Sequence, residues 1–100
     1  MDKTRTTRLL PWTTPEGNPC YLVGDGTGYV SHVADTIESV QLGMAGELLD
    51  HIHDLLDEPK ATHDQLRFAV ARLSETLRDV KRIADSRGAR LPVSDEPPSR

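Results

Sequence analysis

Two long helical segments joined by a short linker constrain the fold of this chain more than any other feature. From Ser31 onward apolar residues recur every three or four positions, which predicts a helix over 31–57. Pro59 ends this helix because it disfavours helical geometry at Glu58 and has no backbone N–H. A second helix is predicted over 62–88, and the linker is so short that the two helices must run antiparallel.

The second helix has clear signals at both ends. Thr62 and Gln65 form a capping-box pattern, and Gly88 is a typical residue just beyond a helix end. Between them lies a heptad seam: Leu66, Val70, Leu73, Leu77, Val80 and Ala84. We expect the seam to face the apolar stripe of the first helix, and the two stripes to be too wide for one copy to cover. Dimerisation, or docking onto another protein, would bury the remainder.

The residues before the helices predict strands and turns. Short runs rich in β-forming residues lie at 9–12, 20–23 and 28–30. Pro15 suits the second position of a turn, and Asp25-Gly26 suits a tight hairpin. Pro11 cannot donate to a ladder, so pairing there should be irregular or at a sheet edge. The predicted fold is α+β: an N-terminal three-stranded antiparallel meander over 7–30, followed by an antiparallel two-helix hairpin.

The chain has 100 residues, room for one domain, which we place at 7–90. The polar ends, 1–6 and 91–100, are predicted to be disordered. No apolar run is long enough for a membrane span or a signal peptide, and Cys20 is the single cysteine. These features predict a cytoplasmic protein without an intrachain disulfide.

The net charge of -4 is distributed unevenly. Between Leu9 and Pro59 there is no Lys or Arg, whereas nine Asp or Glu residues lie there. The residues after Pro59 are net basic. Nucleic-acid binding needs uncompensated cations presented together. This distribution therefore argues against nucleic-acid binding and favours an acidic helix packed beside a more basic one.

Four residues are candidates for contact with a partner. Phe68 lies off the seam, close to Arg72, and it either packs beneath the meander, which is the favoured interpretation, or is exposed as an anchor for a partner. Gly43 and Gly46 lie in a patch of small residues in the first helix. A backbone or a bulky side chain can approach closely there.

An acidic stretch of the first helix has the residue types and spacing of a metal site. Asp50, His53, Asp54 and Asp57 are spaced three and four apart and share a helix face. The facing seam offers only apolar residues, so a solvated acidic face is the better interpretation. No metal or other cofactor is predicted.

Two further motifs have simpler explanations than catalysis or phosphate binding. Gly24-x-Gly26-x-Gly28 precedes a helix, but it departs from the nucleotide-binding patterns, and an ordinary turn explains it. Cys20 and His32 lack a third orienting group, so Cys20 is interpreted as a small strand residue. The sequence predicts no catalytic residue.

The runner-up function is a nucleic-acid-associated regulatory factor. It would use three arginines and the aromatic residues of the strand segment: Arg8, Arg67, Arg72, Trp12, Tyr21 and Tyr29. Packing of these aromatic residues against the helices is the favoured alternative. A third hypothesis is a small metal-binding protein.

Two blocks resemble short, uncharacterised proteins of actinobacteria. They are Leu9-Leu10-Pro11-Trp12 through Gly17-Asn18-Pro19-Cys20-Tyr21-Leu22-Val23-Gly24-Asp25-Gly26, and Ser86-Arg87-Gly88-Ala89-Arg90-Leu91-Pro92. The resemblance spans about residues 7 to 93 and implies a bacterial, cytosolic protein, with no activity or site residue to carry over. The leading hypothesis is a non-enzymatic protein–protein interaction or regulatory module, acting as a homodimer or with another cytosolic protein. It rests on the incompletely covered helical pair, the acidic first half and the lack of an assembled catalytic constellation.

Overall fold

The computed structural model describes residues 6–90, which form a two-stranded antiparallel sheet followed by a helical hairpin. The elements in chain order are β1 (Thr6–Thr13), β2 (Pro19–Gly24), α1 (Tyr29–Leu56) and α2 (His63–Arg90). The α+β class and the antiparallel hairpin are as predicted. The predictions for 1–5 and 91–100 lie outside the described residues.

The predicted third strand is wrong. Residues 28–30 do not pair with the sheet: Gly28 is the N-cap of α1, and Tyr29 and Val30 form its first turn. Val30 lies three residues before Val33 and seven before Ile37, so it belongs to the helical period as well as to a short apolar run. A three-residue strand would form few ladder hydrogen bonds, whereas the same residues extend an existing helix.

The turn after β2 joins a strand to a helix. Gly26 has the positive φ expected of it, +87°. The Asp25 carboxylate accepts hydrogen bonds from the Thr27 backbone N–H at 3.1 Å and from its hydroxyl at 2.7 Å. This short polar loop turns the chain from the sheet into α1.

The sheet is irregular where the sequence contains Pro11. Leu9 pairs with Tyr21 and Thr13 with Pro19, and the register shifts between these two pairs. Pro11 lies inside the shift and has no N–H to contribute to the ladder, so the predicted irregularity is confirmed.

The turn between the strands is held by Thr14 and Gly17. The Gly17 N–H donates to the Thr14 carbonyl at 2.8 Å, with Pro15 in the second position of the turn as predicted. Gly17 has a φ of +88°, a value that favours glycine over residues with a side chain.

The linker between the helices follows the predicted signals. α1 ends at Leu56, with Asp57 as its C-cap, before the break at Pro59. The capping box of α2 is reciprocal: the Gln65 N–H donates to Thr62 Oγ1 at 3.1 Å, and the Thr62 N–H donates to Gln65 Oε1 at 2.8 Å. At its other end α2 continues through Gly88 to Arg90, so the prediction that Gly88 lies just beyond the helix end is wrong.

The apolar core of the described residues is small. Four hydrophobic residues are buried: Leu10, Ala34, Ala69 and Ile83. Two of the four are alanines, so little large apolar surface is enclosed between the sheet and the helices. The polar residues Arg8, Ser31, Glu38 and Ser86 are buried alongside them.

Gly43 provides a test of whether anything packs closely against α1. A Cβ at Gly43 would meet no atom within 4 Å. We therefore expect Gly43→Ala to raise the free energy of unfolding by roughly 0.5–1 kcal/mol, because alanine restricts the unfolded chain and favours the helix. Urea denaturation measures the change. A loss of stability would mean that another chain approaches the backbone at this position.

Candidate interaction surface

An apolar groove runs along the two helices of the hairpin. Ala45 and Leu49 of α1 form one wall, and Leu73, Thr76, Leu77 and Val80 of α2 form the other. We call this feature the hairpin groove. It encloses about 380 Å³, and Thr76 is its one polar residue by type.

The heptad seam of α2 is only partly covered by α1. Leu73 and Val80 are half-buried, but Leu66 is 43% exposed, Val70 65% and Leu77 68%. The seam lines the hairpin groove opposite Ala45 and Leu49 of α1, but it is not closely packed against α1 over most of its length. The buried residues of α2 are Ala69, Ile83 and Ser86, on a neighbouring side of the helix.

Contact with β1 explains which side of α2 is buried. The hydroxyl of Ser86 donates to the Leu9 carbonyl at 2.8 Å, which fixes α2 against the first strand. Ser86 and Ile83 are three residues apart and thus on one face of α2. Because the sheet packs against this face, it does not cover the seam, part of which lines the hairpin groove.

A second cavity extends the apolar surface towards the linker. It encloses about 460 Å³ and is lined by His63, Leu66, Arg67, Val70 and Ala71. Leu66 and Val70 belong to the same seam as Leu77 in the hairpin groove. The open seam thus runs from the first turn of α2 to Val80.

The predicted contact residues lie apart from the sheet. Phe68 is 67% exposed, so the favoured interpretation, packing beneath the meander, is wrong. Arg72 pairs with Glu75 at 3.0 Å within α2. Gly43 and Gly46 are exposed, and nothing in the described chain approaches a Cβ at either position. Their role as contact residues stays a prediction.

The acidic stretch of α1 is exposed. His53 Nε2 lies 3.7 Å from Asp57 Oδ2, and both side chains are more than two-thirds exposed. Within residues 6–90 no three His, Cys, Asp or Glu side chains are grouped so that they could hold a metal ion. Asp50 and Asp54 are exposed as well.

The residues named for nucleic-acid binding do not form one surface. Arg8 is buried and paired with Asp35 and Glu38, so its charge is already compensated. Tyr21 and Tyr29 are exposed, which makes their predicted core packing wrong, while Trp12 is half-buried. A phosphate groove built on Arg8 would have to break these ion pairs.

A buried ionic cluster, not foreseen from the sequence, joins the sheet to both helices. Glu38 is 1% exposed, and its carboxylate lies 3.2 Å from Arg8, 3.5 Å from Arg87 and 3.8 Å from Arg90. Arg8 also donates to the hydroxyl of Ser31 at 2.7 Å and to the Ser31 carbonyl at 3.1 Å. We call Arg8, Ser31, Asp35, Glu38, Arg87 and Arg90 the anchor cluster.

The sequence contains a weak signal for this cluster. Arg8 and Leu10 are two residues apart on one strand, so both point to the same face, which is the buried one. Glu38 follows Ser31 and Ala34 at helical spacing, on a stripe of small residues that leaves room for a long arginine side chain. Because a charged side chain is usually exposed, the sequence alone does not indicate that Arg8 is buried.

Comparison with known proteins gives no match. No protein-family model, curated protein or solved structure matches this chain. The resemblance to actinobacterial proteins stays a prediction. Neither α1 nor α2 has the length and apolar content needed to cross a membrane.

The anchor cluster predicts a large cost for removing Arg8. Arg8→Met leaves Glu38 buried with only the more exposed Arg87 and Arg90 nearby, so we expect a loss of about 3–5 kcal/mol in the free energy of unfolding. Arg72→Met is the matched control, because Arg72 forms an exposed pair with Glu75 and should cost less than about 1 kcal/mol.

Equal effects of the two substitutions in urea denaturation would contradict the assigned role of the cluster. The double variant Arg8→Met, Glu38→Leu sharpens the test. It should be more stable than Arg8→Met alone, since it no longer buries a poorly compensated carboxylate.

Proposed function

We propose that this chain is a small, non-enzymatic protein–protein interaction module that acts as a homodimer through its helical hairpin. The observation that carries the proposal is the open heptad seam: Leu66, Val70 and Leu77 are between 43% and 68% exposed on one side of α2. A heptad repeat is the pattern of a helix that packs along another helix. Within residues 6–90 that side of α2 is left largely uncovered.

The small core supports the same proposal. Burying a large aliphatic side chain contributes about 1.5–3 kcal/mol, and the described chain leaves several such side chains mainly in water. Covering the seam and the hairpin groove in two copies would recover part of this contribution. An exposed apolar strip of this kind on a small protein is typical of an interaction site.

A second copy is the simplest partner for the seam. Dimers with two-fold symmetry use the same patch on both subunits, and the heptad seam of one copy supplies the apolar helix that the groove of the other accepts. The single cysteine, Cys20, leaves no possibility of an intrachain disulfide, which fits the proposed cytosolic location.

The proposal predicts that a charge on the seam dissociates the dimer. Val70→Asp places a carboxylate in the proposed interface, and burial of an unpaired charge should raise the dimer Kd by at least about a hundredfold. Val40→Asp is the matched control: it is the same change at a valine of α1 that is 55% exposed and lies on the side away from the groove.

Light scattering after size-exclusion chromatography gives the mass of each variant, and circular dichroism shows whether the helices persist. We expect the unmodified chain and Val40→Asp to be dimers and Val70→Asp to be a monomer. Dissociation by both substitutions, with helicity intact, would mean that the interface is not the seam. A monomeric unmodified chain would exclude the homodimer altogether.

A further inference from the structure

In its half nearer the linker, the helical hairpin carries opposite charges on its two outer edges. On α1, Asp50 and Asp57 are seven residues apart, which is two helical turns, so they share the edge beyond Leu49. On α2, Arg67 lies at the edge of the seam and lines the cavity with Val70. All three charged side chains are exposed.

Within one copy, these three charged side chains have few oppositely charged neighbours. Asp57 approaches His53 at 3.7 Å, and in residues 6–90 neither Asp50 nor Arg67 forms an ion pair. The acidic edge and the basic edge lie on opposite margins of the groove, with both helices between them. An ion pair between Asp50 and Arg67 therefore requires a second chain.

A second copy can face the groove in two ways. If the two-fold axis is perpendicular to the helices, α1 of one subunit lies over α1 of the other, and acidic edges meet. If the axis is parallel to the helices, α1 of each subunit lies over α2 of the other. Acidic edges then meet basic edges, which is the favourable arrangement.

We propose that a second copy of this chain covers the hairpin groove with the two-fold axis parallel to the helices, so that Asp50 and Asp57 of each subunit face Arg67 of the other. This inference rests on the proposed function and adds the orientation of the subunits. Both hairpin linkers then lie at the same end of the dimer.

The heights of the residues along the helices fit this pairing. Leu49 and Leu73 line the same groove, and Arg67 lies six residues from Leu73 towards the linker. In an antiparallel hairpin Arg67 is thus level with residue 55 of α1, between Asp50 and Asp57. A two-fold axis parallel to the helices leaves heights unchanged, so along the axis Arg67 of one subunit lies between Asp50 and Asp57 of the other.

Charge reversal tests the orientation. One variant carries Asp50→Lys and Asp57→Lys, a second carries Arg67→Glu, and a third combines all three changes. In the proposed dimer the first two variants place like charges together, so each should raise the Kd by about tenfold or more. The combined variant restores opposite charges and should return the Kd towards that of the unmodified chain. Glu16→Lys, in the exposed turn between β1 and β2 and outside the hairpin groove, is the control and should change little.

Sedimentation equilibrium at low salt gives the Kd of every variant. If neither edge reversal weakens a dimer that Val70→Asp does dissociate, the proposed orientation is overturned while the interface stands. If both reversals weaken the dimer but the combined variant is weaker still, the edges do not face each other, and the orientation is again overturned. A chain that remains monomeric at every concentration overturns both the orientation and the proposed function.

Discussion

Two short strands have to cover two helices of 28 residues each, and this mismatch in size determines which surfaces remain open. Each helix is about 42 Å long, whereas β1 and β2 have eight and six residues. The polar contacts between the sheet and the helices involve residues 31–41 of α1 and Ser86 of α2. In the part of the chain that the structure describes, the sheet makes these contacts only with the half of the hairpin away from the linker.

The anchor cluster explains why the sheet lies at the end of the hairpin away from the linker. Glu38 and Arg8 are both buried, and each would be costly in the interior without the other. Their contact, together with the hydrogen bond from Ser86 to Leu9, fixes β1 between the start of α1 and the end of α2. This placement buries the face of α2 that includes Ile83 and turns Leu66, Val70 and Leu77 towards solvent.

Local signals in the sequence were sufficient for the helical hairpin. The apolar period of α1, the break at Pro59 and the Thr62–Gln65 capping box depend on residues close together in the chain, and the structure contains all three. The prediction of a third strand is wrong because residues 28–30 suit a short strand and a first helical turn equally well. Phe68 is exposed because the sheet has two strands and not the predicted three.

Which surface the heptad seam faces could not be predicted from the spacing of apolar residues along α2. It depends on contacts between residues far apart in sequence, such as Ser86 with Leu9 and Arg8 with Glu38. The heptad spacing correctly marked an apolar strip, but it does not say what the strip faces. The candidate site was therefore predictable as a set of residues, and not as an exposed surface.

The proposed interaction module depends on a groove that one chain leaves open and a second chain fills. The most direct test is the mass of the unmodified protein by sedimentation equilibrium over a range of micromolar concentrations. The proposal predicts a mass that approaches twice the 11.1 kDa of one chain as the concentration rises. A constant mass of 11.1 kDa over the whole range, with the helices intact, would contradict it.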